Sequence, residues 1–116
     1  MLDKLIANNF ATHNILLKNL VILQTSEFCK KRGLVLFFGV NVKGFYTLVL
    51  WREAKSRLVV KEFLELEEIC RAVEAKMEFS IKKRICFYKS AICSKVVKSA
   101  KESGFKLYEI QEKLAS

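Results

Sequence analysis

The hydrophobic positions near the amino terminus recur at helical spacing. Apolar side chains return every three or four positions over residues 2–29, which predicts one long helix or two shorter ones with a break near Thr12-His13-Asn14. Residues 15–23 are apolar around most of the helix surface, so we expect a buried helical segment there. A second copy could cover part of that surface, in a homodimer formed through the N-terminal helix.

A helix ending and two strand patterns follow. Lys30-Lys31-Arg32-Gly33 suits a helix end, because cations favour the negative end of the helix dipole and glycine can adopt the left-handed cap conformation. Residues 34–42 and 45–51 are rich in β-branched and aromatic side chains, and Lys43-Gly44 between them predicts a tight hairpin turn. Residues 57–60 are expected to add a third strand.

The second half of the chain alternates between helical and strand patterns. Residues 62–77 predict an amphipathic helix, whose apolar positions are Phe63, Leu66, Cys70, Val73 and Met77. A strand over 84–88, a helix over 90–103 and a half-buried strand over 105–110 come next. This last strand-helix-strand unit suits parallel pairing.

The predicted fold class is α/β, with an N-terminal helix or helices and then a mixed sheet of about five strands. The expected order after the helical part is a β-hairpin, a third strand, α, β, α and β. With no proline and no low-complexity linker, residues 1–116 are expected to form a single domain. It would contain a helical part over 1–32, a mixed sheet with two helices over 33–110, and a tail over 111–116.

The chain is strongly basic, with a formal net charge of +9. Nucleic acid is therefore the first class of partner to consider, and we expect DNA in preference to RNA. Residues 80–116 hold nine basic and three acidic side chains, so the excess is concentrated there. The basic residues expected to contact phosphates are Lys82, Lys83, Arg84, Lys95, Lys98 and Lys101.

The four cysteines are spaced irregularly and include no Cys-x-x-Cys pair, which argues against a structural zinc site. Reduced, packed thiols are typical of a cytoplasmic protein, the localisation we expect. We find no signal peptide, and no apolar run approaches the roughly 20 residues of a transmembrane helix. His13 is expected to have a capping or surface role at the helix break.

Candidate chemistry lies at the end of the second hairpin strand, in Trp51-Arg52-Glu53-Ala54-Lys55-Ser56. Alternation along the strand is expected to put Glu53 and Lys55 on the same face. A carboxylate there can hold a hard divalent ion, and a nearby lysine can orient or deprotonate an attacking water. Alternatively, both side chains pair with a neighbouring arginine or with solvent and have no function.

These residues carry a resemblance to a known family. Val40-Asn41-Val42, the strand over 45–51 and then Glu53-Ala54-Lys55 resemble the central hairpin of the PD-(D/E)XK restriction-endonuclease-like superfamily, and the order of the downstream elements fits over roughly residues 15–110. The resemblance implies a restriction-endonuclease-like fold with Glu53, Lys55 and Asn41 at the catalytic positions. Glu53 would hold the metal, Mg²⁺ if the nuclease is active. Asn41 stands where the family has a metal-binding Asp, which weakens such a site.

The sequence thus predicts a nucleic-acid-binding protein of nuclease-like fold with an incomplete metal site. One alternative is an active Mg-dependent DNA nuclease, and another is a protein-interaction or assembly module with no nucleic-acid role. Convergence of Asn41 on Glu53 and Lys55 would favour the nuclease. Asn41 in a distant hairpin turn would indicate that the resemblance is a coincidence of element order.

Overall fold

A short helix opens the chain and lies on one face of the sheet. The computed structural model describes residues 3–30 and 33–112, beginning with α1 (Lys4–Thr12). The carboxylate of Asp3 accepts a hydrogen bond from the backbone N–H of Leu5 at 2.7 Å and caps the helix. The helix ends at the predicted break, where His13 is the carboxyl-terminal cap, as expected of it.

The apolar run over residues 15–23 forms an edge strand, so the helix predicted there is wrong. β1 (Lys18–Leu23) pairs antiparallel with β2 (Leu34–Val40), and a single turn of 3-10 helix, Thr25–Glu27, follows β1. A short apolar run fits a strand as well as a buried helix. The edge of β2 supplies the backbone hydrogen-bond partners, and a local pattern does not reveal that edge.

Two other expectations depended on that helix. Gly33 has the expected positive φ, 71°, but no helix ends next to it within the described residues, and Lys31 and Arg32 lie outside them. The homodimer stays a prediction, although the apolar residues expected to form its interface do not belong to a helix. Residues 18–23 form a strand, and α1 packs Phe10 against the sheet. Of the predicted tail, residues 113–116 lie outside the described residues.

The predicted hairpin forms the centre of the sheet. β2 and β3 (Tyr46–Arg52) pair antiparallel, with Leu34 opposite Arg52 at one end and Val40 opposite Tyr46 at the other. The turn over residues 41–45 contains Gly44 at a φ of 85°, a conformation that glycine adopts at little cost.

Two helical connections complete the sheet. α2 (Val60–Met77) leads to β4 (Lys83–Tyr88), and α3 (Ser94–Ser103) leads to β5 (Phe105–Glu109). β4 lies parallel to β3 and β5 lies parallel to β4, so the strand order is β1-β2-β3-β4-β5. The α/β class, the five-stranded mixed sheet and the parallel last unit are confirmed.

The third strand predicted over residues 57–60 is wrong. Leu58 makes only an isolated bridge with Ile92, and α2 already begins at Val60. The preceding loop is held by a side chain, because the carbonyl oxygens of Ala54 and Ser56 accept hydrogen bonds from Arg52. The sheet therefore reaches five strands through β1 and not through residues 57–60.

The sheet separates two buried layers. One face packs against α2 and α3, and Leu36, Leu48 and Leu50 point into that layer. The other face packs against α1, and Phe37 and Trp51 lie there, both almost inaccessible to solvent. All four cysteines are free thiols. No described helix combines the length and the apolar content needed to cross a bilayer.

Candidate nucleic-acid interface

Glu53 lies just beyond the carboxyl end of β3. Its backbone N–H donates to the carbonyl oxygen of Gly33 at 2.7 Å, which places it beside the start of β2. Its carboxylate accepts a hydrogen bond from the indole N–H of Trp51 at 2.7 Å. Because Trp51 is fully buried, this bond satisfies the one polar atom of its side chain. Glu53 therefore has a structural contact of its own.

Lys55 is not positioned by the strand. β3 ends at Arg52, so the alternation expected to place Glu53 and Lys55 on one face stops before both residues. Lys55 is exposed in the loop that leads to α2.

A buried arginine organises that loop. Arg52 is only 2% exposed, and its guanidinium donates to the two carboxylate oxygens of Glu62 at 2.6 and 3.0 Å. It also donates to the hydroxyl of Ser90 at 2.7 Å. The end of β3 is thereby joined to the start of α2 and to the residues that follow β4. The ion pair of Arg52 is thus with Glu62 rather than with Glu53.

Asn41 lies in the turn at the other end of the hairpin. Its side-chain oxygen accepts hydrogen bonds from the backbone N–H groups of Lys43 at 3.0 Å and Phe45 at 2.9 Å. The 7 residues of β3 separate this turn from Glu53, a distance of roughly 20 Å at about 3.3 Å per residue. The structure does not bring Asn41 together with Glu53 and Lys55, since Asn41 precedes β3 and the other two follow it.

The surroundings of Glu53 do not fit the Mg²⁺ that the resemblance implies. Mg²⁺ requires oxygen ligands in near-octahedral geometry. Glu53 bonds the backbone of Gly33, and Arg52 pairs with Leu34 of β2; neither Gly33 nor Leu34 has a side-chain oxygen. Trp51 already donates a hydrogen bond to one carboxylate oxygen of Glu53. Within residues 3–30 and 33–112, no three His, Cys, Asp or Glu side chains form a group that could hold a metal ion.

Lys82 and Lys83 border a cleft on the α1 side of the sheet. The cleft has a volume of about 410 Å³ and lies between the end of α1, the hairpin turn and the amino ends of β4 and β5. Lys106 also borders it, and none of the described Asp or Glu residues does. We call the exposed lysines of this border the basic edge: Lys82, Lys83 and Lys106. Positive charge without a carboxylate beside it attracts anions.

Arg84 borders the same cleft but is tied into the fold. Its guanidinium donates to the carbonyl oxygen of Ser103 at 2.6 Å and lies 5.2 Å from the centre of the Phe105 ring. Its Nε is buried and has no hydrogen-bond partner among the described residues. Arg84 thus joins β4 to the end of α3.

The three predicted lysines of α3 lie on another surface. Lys95, Lys98 and Lys101 are exposed, whereas Val96 and Ala100 of the same helix are buried in the layer shared with α2. The cleft opens on the opposite face of the sheet. The six predicted basic residues therefore do not form a single surface.

Sequence reasoning missed Lys106 and an aromatic pair as site residues. The rings of His13 and Tyr108 stack with their centroids 3.7 Å apart, and both residues border the cleft. Alternation along β5 places Lys106 and Tyr108 on one side of the strand, which is a signal the sequence contains. The approach of His13 is a long-range contact and leaves no local signal.

The chain is similar to solved structures of endonucleases. Over 93% of its length it matches a repair endonuclease from Pyrococcus abyssi, with a TM-score of 0.55 and 10% sequence identity. Over the same share it matches EndoMS in apo form, with a TM-score of 0.54, and EndoMS in a complex with dsDNA, with a TM-score of 0.50, each at 12% identity. This chain has a PD-(D/E)XK restriction-endonuclease-like fold.

The fold expected from the resemblance is therefore confirmed, although Asn41 lies in a distant turn. Element order and strand pairing carry this similarity, so the position of one motif residue was a wrong criterion for it. The chain covers 46%, 45% and 44% of the three matched chains, which is less than half of each. Neither the protein-family models nor the curated proteins compared with the sequence match it.

Proposed function

We propose that this domain binds DNA through the basic edge of Lys82, Lys83 and Lys106. The observation that carries the proposal is the cleft these exposed lysines border, where none of the described carboxylates lies beside them. The net charge of +9 adds a general attraction for polyanions. EndoMS, which has a similar fold, occurs in a complex with dsDNA, and this supports duplex DNA rather than RNA as the ligand.

The proposed activity is binding without strand cleavage. Glu53 accepts a hydrogen bond from Trp51 and bonds the backbone of Gly33, which has no side-chain oxygen, while Asn41 is engaged in the hairpin turn. A Mg-dependent nuclease needs further oxygen ligands near Glu53. We infer that the nuclease-like fold serves here as a scaffold for the DNA-binding surface.

We also propose a reducing compartment, the cytoplasm, as the location of the domain. The support is that all four cysteines are free thiols and that Cys70 and Cys86 are packed in the interior as small apolar groups.

Charge-matched double variants test the interface. Lys83→Ala with Lys106→Ala removes two charges from the basic edge, whereas Lys95→Ala with Lys98→Ala removes two from α3. For duplex DNA the slope of log K against log salt is negative, and each lost phosphate contact reduces its magnitude by about 0.9. We expect the first variant to reduce the magnitude of this slope by about 1 to 2 and the second to leave it nearly unchanged. Fluorescence anisotropy with a labelled duplex measures both.

Two outcomes would contradict DNA binding at this surface. One is no binding of the unmodified domain to duplex, single-stranded or branched DNA at low salt, and the other is an equal loss in both double variants. Cleavage is tested by incubating DNA with Mg²⁺ or Mn²⁺, and we expect the DNA to stay intact. Cleavage that disappears in Glu53→Ala and Lys55→Ala would instead establish a nuclease.

A further inference from the structure

The cleft beside the basic edge has two chemically different sides. Leu16 and Val42 border it and are 63% and 70% exposed, more than any other large hydrophobic side chain in the described residues. They lie on the β1–β2 side, because Lys18 pairs with Val40 just beyond them. The lysines lie on the β4–β5 side. Exposed apolar side chains next to cations suit a ligand with an apolar or aromatic body and an anionic group.

Neutral polar groups line the space between these two sides. Asn14, Asn41 and the ring of His13 border the cleft, and the buried side chain of Thr47 lies at its floor. The hairpin turn uses the side-chain oxygen of Asn41, so its amide nitrogen is oriented by the fold and can donate to a ligand. Amides, an imidazole and a hydroxyl match the edge of a nucleobase and the hydroxyls of a sugar better than they match an alkyl chain.

We propose that this cleft is a binding site for one nucleotide, with the phosphate held by the basic edge and the base packed against Leu16 and Val42. The volume of about 410 Å³ falls within the roughly 300–1,000 Å³ of ligand pockets. β2 and β4 are two strands apart, roughly 10 Å at about 4.8 Å per strand, which a nucleoside monophosphate can bridge. A free mononucleotide fills the site, so the proposal goes beyond DNA binding and does not require it.

Calorimetric titration with AMP tests the site, with adenosine, ribose 5-phosphate and inorganic phosphate as partial ligands. We expect AMP to bind at least about tenfold more tightly than any of the three, because only AMP engages both sides of the cleft. Leu16→Ala and Val42→Ser should weaken AMP at least about fivefold while leaving ribose 5-phosphate unchanged. Both side chains are largely exposed, so the variants are expected to fold, and their melting temperatures check this.

The lysine variants provide the matched control. Lys83→Ala with Lys106→Ala should weaken both AMP and ribose 5-phosphate, and Lys95→Ala with Lys98→Ala should weaken neither. AMP binding no tighter than ribose 5-phosphate, or unchanged in both Leu16→Ala and Val42→Ser, would overturn the proposal. Loss of duplex binding with AMP binding retained would overturn only the DNA-binding proposal.

A competition experiment identifies the source of the nucleotide. A 5′-phosphorylated oligonucleotide that displaces AMP, when the unphosphorylated one does not, assigns the site to a strand end. Failure of both to displace AMP assigns it to a free nucleotide, and either result supports the site. Equal displacement by both oligonucleotides would overturn it, because the phosphate group would then not be recognised.

Discussion

Arg52 makes the most extensive set of side-chain hydrogen bonds among the described residues. It joins Glu62 at the start of α2 to Ser90 after β4 and to two backbone carbonyl groups of the intervening loop. Replacing only the arginine leaves the Glu62 carboxylate, which is 20% exposed, without its partner. Breaking such a pair is strongly destabilising, since the remaining charge is poorly solvated.

We predict that Arg52→Met lowers the free energy of unfolding by about 3 kcal/mol. Glu53→Gln is the matched control, because the amide oxygen can still accept the indole N–H of Trp51, and we expect a change below about 0.5 kcal/mol. Urea denaturation followed by Trp51 fluorescence measures both. Similar losses in the two variants would mean that Glu53 has a larger structural role than this hydrogen bond implies.

The buried thiols give a prediction with a pH dependence. Desolvation by burial raises the pKa of Cys70 and of Cys86 from the ordinary value of 9.0 to about 12. Because the thiolate is the reactive form, we expect a thiol reagent at pH 8 to modify the half-buried Cys29 and Cys93 first. The other two should react only on unfolding, as mass spectrometry of the labelled protein would show.

The same shifts determine how stability changes with pH. The pKa of each buried thiol is higher in the folded state than in the unfolded state, so folding favours the protonated form. This contribution is fully present below pH 9 and is lost as the pH rises from 9.0 towards about 12. Urea denaturation at a series of pH values should show a decline over that window, and rising stability there would contradict the burial of the two thiols.

At the level of single residues, the sequence located the end of β3 but not the chemistry there. A strand end at Glu53 follows from the apolar run before it. The bonds to Trp51 and from Arg52 to Glu62 are set by packing between separate elements, which residue spacing does not encode. Asn41 lies beside the predicted Lys43-Gly44 turn and Glu53 follows the second strand, so the hairpin pattern alone places the two residues at opposite ends.

Among the elements, β1 is the one whose position a single substitution can test most directly. A Cβ atom at Gly39 of β2 would lie 2.9 Å from Cβ of Leu17 and 3.2 Å from the carbonyl oxygen of Lys18. We therefore predict that Gly39→Ala displaces the start of β1 and lowers the free energy of unfolding by about 1 to 3 kcal/mol. Faster hydrogen exchange within residues 18–23 would locate the change.

Gly44→Ala is the comparison for that variant. Nothing lies within 4 Å of a Cβ placed at Gly44, so the cost comes only from its φ of 85° and should be about 1 kcal/mol. Its effect should stay in the hairpin turn and leave hydrogen exchange in β1 unchanged. If Gly39→Ala also left β1 unchanged, the close approach of Leu17 to β2 would be wrong.

Elements with a clear period were predicted correctly, whereas the apolar run that forms β1 was not. The pattern of α2 and the alternation of β5 each indicate one structure, because one side is buried and the other is exposed. Residues 18–23 lie on a sheet edge with Val21 and Ile22 about half exposed, so their apolar run has no such asymmetry. An edge strand depends on its neighbour, which only the assembled sheet supplies.

For the whole molecule, ligands should separate the proposed activities by their effect on thermal stability. A ligand that binds only the folded state stabilises it by about 2.7 kcal/mol at 100 times its Kd. We predict that duplex DNA in excess raises the melting temperature and that MgCl₂ alone does not, since no three His, Cys, Asp or Glu side chains of the described residues form a group that could hold a metal ion. Differential scanning fluorimetry measures both melting temperatures. Stabilisation by Mg²⁺ that Glu53→Ala abolishes would instead show that Glu53 binds the metal.

The turn held by Asn41 also has a consequence for the rate of folding. Residues on either side of it pair directly, Val40 with Tyr46, whereas the parallel pairing of Thr47 with Lys83 must wait until α2 has brought distant parts of the chain together. Because closing a long loop costs more entropy than closing a short one, the hairpin is expected to form early in the folding nucleus. Asn41→Ala should then slow refolding more than it accelerates unfolding in a stopped-flow chevron.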